Sequence, residues 1–185
     1  MIFDEGSFRD PAGQVFYHSN KVYRIVKQTG KKRIDFLNSK DLINKSSKNN
    51  FLIESRLLNG QEIKDLGFKN EEIIFEHKKL PYVSYPYEWS FSQLKAAALH
   101  HLDFNLFLID QGATLIDASA YNIQFIGSKP IFIDLLSIKE YIEGEYWYGH
   151  KQFCENFLNP LILTSKKGVQ FNNWFKGNLE GIPTN

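Results

Sequence analysis

An aspartate and an asparagine stand five residues apart in Asp117-Ala118-Ser119-Ala120-Tyr121-Asn122, and a second aspartate closes the apolar run Pro130-Ile131-Phe132-Ile133-Asp134. On one loop the first two can project toward a common point. A β-hairpin returning the chain would then bring Asp134 beside them. Phosphoryl transfer is the chemistry this set suits. One carboxylate orients or deprotonates an attacking hydroxyl, while an amide oxygen and a second carboxylate hold Mg²⁺ against phosphates. Magnesium is a hard cation that keeps several waters, so a few oxygen ligands suffice. The alternative for Asp117 is a simple turn cap acting through Ser119, since Asp and Asn both favour turns.

The elements that must position these residues are partly legible. Gly13-Gln14-Val15-Phe16-Tyr17-His18 and Lys21-Val22-Tyr23-Arg24-Ile25-Val26-Lys27, joined by Ser19-Asn20, predict a hairpin. A short helix is expected within 31–50, a strand or helix from Phe51, and a strand over Glu72–His77. Two prolines make Leu80–Tyr87 extended. Ser90-Phe91-Ser92-Gln93 is a capping box. Phe91, Leu94, Ala98, Leu102, Leu106 and Ile109 then recur at helical spacing until Gly112, predicting a helix of about 20 residues with those side chains on its apolar face. Ile123–Ile126 and Pro130–Asp134, around Gly127-Ser128, predict the hairpin that carries Asp134. A second helix is expected over roughly 148–163.

The 185 residues are 43% apolar, 15% aromatic and 23% charged, with 12 Gly and 6 Pro, which describes a globular chain with material for a sizeable core. Lys and Arg number 22 against 21 Asp and Glu, a formal charge of +1, so bulk electrostatic binding to nucleic acid or anionic lipid is not expected. Lys45–Asn50 has the make-up of a solvated loop. Cys154 is alone, which excludes an intramolecular disulfide, and its neighbours Phe153 and Phe157 suggest a buried thiol. His100 and His101 are adjacent in the helix, point about 100° apart and cannot pair on a metal. The first residues lack the pattern of a signal peptide, and no apolar run approaches the ~18 residues of a membrane span, so the expected location is cytoplasmic. The Gly/Pro-containing end, Gly177–Pro183, suggests part of a longer protein.

The Asp117, Asn122, hairpin, Asp134 order resembles the catalytic segment of the protein-kinase-like superfamily, in its aminoglycoside-phosphotransferase-like branch. That resemblance implies an α+β, protein-kinase-like two-lobe fold. A small β-rich N-lobe would occupy 1–83, and a mostly helical, shortened C-lobe 84–185. It implies ATP and Mg²⁺ as cofactors and a small-molecule or partner hydroxyl as acceptor. Asp117 would be the base, with Asn122 and Asp134 on the metal. Residues 82–88 would form a hinge, with backbone groups of Tyr85 and Tyr87 toward adenine and Glu88 toward the ribose. Arg24, or alternatively Lys27, would face the phosphates, with Glu54 a candidate ion-pair partner. The chain departs from that pattern at Leu115, where the family has His, and at Leu135-Leu136, where it has Phe-Gly. It also lacks a Gly-rich phosphate loop and a Val-Ala-Ile-Lys run.

A closer resemblance rests on Ser84–Lys95, on Asp117–Asn122 and on Gln152-Phe153-Cys154. These are similar to the N-terminal region of certain bacterial proteins described as SAM-dependent methyltransferases, some of them nodulation-type. There the methyl-transfer domain lies C-terminal to this region, which implies such a domain as a partner. The chain itself has no Gly-rich strand-to-helix turn followed by an acidic residue, hence no SAM site of its own. A non-catalytic nucleotide-sensing or substrate-presenting module is the alternative function.

Overall fold

The computed structural model describes residues 1–184 and is α+β, with small antiparallel sheets and several helices. It divides into two compact units, Met1–Lys79 and Leu80–Asn185.

The first unit is a five-stranded sheet with helices on it. Strand β1 (Ile2–Phe3) edges the hairpin β2 (Gly13–His18) and β3 (Lys21–Val26). Ser19 and Asn20 turn the hairpin with φ of 47° and 63°, the left-handed region that asparagine tolerates. Two helices follow, α1 (Gln28–Ser39) and α2 (Leu42–Lys48), where the sequence suggested one. The break is at Asp41, whose φ of 55° no helix can carry through. Strand β4 (Ser55–Leu57) begins later than the apolar run at Phe51 implied, and is followed by α3 (Gly60–Asp65) and β5 (Ile73–His77). The sheet order is β1-β2-β3-β5-β4, all antiparallel. Alternation sends Phe16, Tyr23 and Ile74 to one face, packed with Leu58 and with Ile63 of α3. The paired residues Arg24 and Phe75 therefore share the other face.

In the second unit, α4 (Phe91–Asp110) is capped at Ser90, whose side chain accepts from the Gln93 N–H while the Gln93 side chain answers the Ser90 N–H. Gly112, at φ 73°, ends it as expected. The buried face differs from the expected one. Leu94, Ala97, Ala98, His101, Phe104, Asn105 and Leu108 are inside, whereas Phe91, Leu106 and Ile109 are exposed. Apolar residues occur all round this helix, so periodicity alone could not choose the face. The face chosen carries His101 and Asn105, which apolar spacing ignores.

Strand β6 (Ala113–Leu115) leads into the Asp117 loop. The hairpin β7 (Ile123–Ile126) and β8 (Lys129–Phe132) forms where the sequence placed it, and β9 (Ile138–Glu140) pairs back onto β6. The last helical tract runs through α5 (His150–Phe153), a π turn (Cys154–Leu158) and α6 (Asn159–Lys167), followed by α7 (Asn172–Gly177). Pro160 accounts for the π turn. It has no N–H for the Asn156 carbonyl, and its ring would collide with that carbonyl in a regular helix. Cys154 is only half-buried, contrary to expectation, with Sγ 3.9 Å from His150 Nε2. Phe153 and Phe157 take the inward positions beside it.

Candidate functional site

The loop from Asp117 to Asn122 is held by side chains that reach it from elsewhere. Ile116 donates its N–H to the Ser137 carbonyl at 2.8 Å. Upstream, Asn105 Oδ1 accepts from the Leu115 N–H at 2.9 Å and from the Thr114 hydroxyl at 3.0 Å. Trp147 Nε1 donates to the Leu115 carbonyl at 2.7 Å. Within the loop, Asp117 Oδ1 accepts from the Ser119 N–H at 2.8 Å, so the turn-cap role is real. Asp117 also has company.

The β7–β8 register pairs Ile123 with Phe132, and the Ile133 N–H donates to the Asn122 carbonyl at 2.9 Å. One residue further on is Asp134. Its carboxylate caps the turn Leu135–Ser137, accepting from the Leu136 N–H at 3.2 Å and from the Ser137 hydroxyl. Burial pushes the Asp117 carboxyl above the usual aspartate range, and the nearby Asp134 charge pushes it the same way. Three groups pull it back: the Ser119 N–H, the Asn122 amide and the Gln152 amide. Asn122 Nδ2 is buried and makes no well-formed hydrogen bond, yet it lies near enough to favour the charged carboxylate. The hairpin thus brings Asp117, Asn122 and Asp134 together.

The donor set is oxygen only and holds two like charges. That suits a hard cation such as Mg²⁺, which one or two carboxylates can bind and which would relieve their repulsion. Among the described residues no group of three or more His, Cys, Asp and Glu side chains forms a metal cluster, so any such site would rest on this pair plus the amide.

The remaining expected residues lie apart from this trio in the chain. Arg24 is in the first unit, 9% exposed, with Nη1 3.3 Å from Asp10 Oδ2. Tyr85, Tyr87 and Glu88 form a short turn of 3₁₀ helix (Pro86–Glu88) within the stretch expected to be extended. The Tyr85 N–H donates to Glu88 Oε2 at 2.8 Å, and the Tyr85 carbonyl accepts from the Glu88 N–H at 2.8 Å. The Tyr87 carbonyl accepts from Asn172 Nδ2 at 3.0 Å. The Tyr85 and Tyr87 rings stack, with centroids 5.4 Å apart and planes 6° from parallel. The Tyr85 backbone and the Glu88 carboxylate, assigned to adenine and ribose, are therefore engaged within the turn, and the Tyr87 carbonyl is engaged by Asn172. A surface hollow of about 400 Å³ is lined by Ser92, Gln93, Ala96, Phe125, Gly127 and Ser128, and includes none of the site residues.

Two residues of the site carried no functional expectation. Gln152 Oε1 accepts from the Ala118 N–H at 2.8 Å, and Asn156 Oδ1 accepts from the Ala120 N–H at 3.0 Å. They stand four apart on one helical tract, a spacing visible in the sequence, but only the fold shows that the loop lies against it.

No family model matches the sequence. The chain is 44% identical over 183 residues to the nodulation protein NoeA of Rhizobium meliloti (strain 1021), a match covering 97% of this chain and 37% of that protein. The chain therefore spans little more than a third of the length of the curated relative it matches. Among the described residues no helix is long and apolar enough to cross a membrane.

Proposed function

We propose that the chain is a kinase-like domain, an ATP- and Mg²⁺-dependent phosphotransferase acting on a hydroxyl of a small molecule or partner. In the longer proteins of its kind it would precede a SAM-dependent methyl-transfer domain. The observation that carries this reading is the meeting of Asp117, Asn122 and Asp134 on a loop and hairpin. A sheet-rich unit followed by a mainly helical one is consistent with two lobes. Asp117 is the candidate base: a partly buried carboxylate with a raised pKa takes a proton more readily than an exposed one. Asn122 and Asp134 would hold Mg²⁺, which when bound neutralises charge on phosphate oxygens. Ser119 and Gln152 keep the Asp117 side chain oriented meanwhile.

A specific observation favours the second reading, a nucleotide-sensing or substrate-presenting module without catalysis, in its substrate-presenting form. The backbone groups of Tyr85 are already satisfied by Glu88, so adenine would gain them only by opening that turn.

Thermal melting with Mg²⁺, ATP and both together, on wild type and Asp134→Asn, tests these proposals. The variant keeps an oxygen for the Leu136 N–H but removes the charge. ATP with Mg²⁺ at 100 times its dissociation constant adds about 2.7 kcal/mol, roughly 5–10 °C at this size. A shift lost in Asp134→Asn, with phosphate transfer or release, supports the enzyme. The same shift without turnover supports the sensing module. No shift at millimolar ATP removes both nucleotide readings and leaves a structural module.

A further inference from the structure

The loop that presents Asp117 is not held by its own bonds alone. Ala118 and Ala120 are fully buried, and a buried N–H left without an acceptor costs about 1–3 kcal/mol. Both are answered by side-chain amides of the last helical tract, Gln152 for Ala118 and Asn156 for Ala120. The tract is itself pinned. Phe153 and Phe157 alternate with these amides and lie against the His101 ring, at centroid distances of 5.8 and 6.0 Å. Gln152 differs from Asn156 in what its other half does. The Asn156 amide nitrogen turns away and donates to the Glu180 carbonyl at 3.0 Å. The Gln152 amide lies near enough to the Asp117 carboxylate to favour its charged form.

We propose that Gln152 is the positioning residue of this site: its amide oxygen fixes the Ala118 N–H, one residue from Asp117, and so holds the Asp117 carboxylate toward Asn122 and Asp134. Asn156 is a second anchor for the loop, and its amide nitrogen is engaged by Glu180. Helices that carry a π turn often do so at functional sites. Here the widened turn starts two residues after Gln152 and includes Asn156. The consequence for cation binding rests on the reading of the trio given above, whereas the anchoring of the loop rests on hydrogen-bond geometry alone.

Two variants of the full chain separate the parts. Gln152→Met keeps the shape but loses acceptor and donor. Gln152→Glu keeps an acceptor and loses the donor. Amide hydrogen exchange followed by NMR is expected to speed up about tenfold at Ala118 in Gln152→Met, to change little at Ala120, and to return toward the wild-type rate at Ala118 in Gln152→Glu. An unchanged Ala118 rate in Gln152→Met overturns the proposal. Mn²⁺ serves as the probe for the second arm. Broadening of the Asn122 side-chain amide resonances in wild type, at about tenfold lower Mn²⁺ than in Gln152→Met of similar melting temperature, supports positioning. Equal Mn²⁺ affinity in both proteins overturns it. Should wild type show no broadening while Ala118 loses protection in Gln152→Met, the cation reading fails and the anchoring role of Gln152 stands.

Discussion

Two charge clusters among the described residues are built on opposite rules. On the first unit, Lys21, Glu76, Arg56 and Glu62 alternate in sign, with contacts of 2.9, 2.6 and 2.8 Å along the series. On the second, Asp117 and Asp134 put like charges side by side. The responses of the carboxyls differ accordingly. Glu62 is held below the ordinary glutamate value by the Asn59 N–H and by Arg56. Burial pushes Glu76 up, but hydrogen bonds from Lys21 and Arg56 outweigh it and leave that carboxyl low as well. Asp117 moves the other way, chiefly through burial. The first cluster is complete in itself and lies on the surface. The second is where the proposed Mg²⁺ site falls.

The buried histidine behind the second cluster should give the largest effect. His101 is fully buried among Phe132, Trp147, Phe153 and Phe157, with both ring nitrogens lacking hydrogen bonds, and burial, with His100 as the charged neighbour, holds its pKa down to about 3. Its folded value lies below its unfolded one. The stability it contributes is therefore complete above about pH 6.5 and is lost as pH falls toward the folded value. Between pH 6.5 and 4.5 wild type should lose about 2–3 kcal/mol more than His101→Phe, measured by urea unfolding at the two pH values. An equal loss in the two proteins would mean that the ring takes a proton in the folded state.

A smaller change of opposite sign is expected at the acidic pair. Asp117→Asn removes a charge that its surroundings disfavour, so the melting temperature at pH 7 should rise, and any Mg²⁺-induced rise should shrink as one of the two neighbouring charges is lost. The sign follows from linkage: a raised carboxyl contributes stability below its unfolded pKa and loses it as pH climbs through the folded value. A lower melting temperature would place the loop's turn-capping bond above the charge repulsion in importance. The smallest effect belongs to the surface series. Arg56→Met should cost under about 1 kcal/mol, shrinking as salt is added, because exposed pairs are screened. A loss that ignores salt would show that Arg56 acts through packing rather than charge.

How much of this could be read in advance follows from the range of each interaction. The capping box at Ser90, the stop at Gly112 and the hairpin around Gly127 are encoded within a few residues, and the sequence places them well. The convergence of Asp117, Asn122 and Asp134 was likewise legible, because a hairpin is the shortest route between them. What failed depended on distant partners. The inward face of α4 is set by the ring cage around His101 and by the loop that Asn105 supports, and apolar spacing contains neither. The π turn could have been suspected from Pro160 inside an otherwise helical pattern. The turn at Pro86–Glu88 escaped because prolines forbid a long helix yet permit a short one that starts on them. Gln152 and Asn156 look like ordinary surface amides until the loop is laid against them.

Glycine is the only comfortable residue at position 181. A methyl group there would lie 2.3 Å from the Glu155 carbonyl oxygen, and the backbone sits at φ +84°. This lets the Ile182 N–H reach that same carbonyl at 2.9 Å, while Glu180 holds the far end of the Asn156 amide. The near end of the amide holds Ala120. Two stretches of chain sixty residues apart are thus wired through one side chain, and a pull on the tail at Glu180 is felt two residues from Asn122.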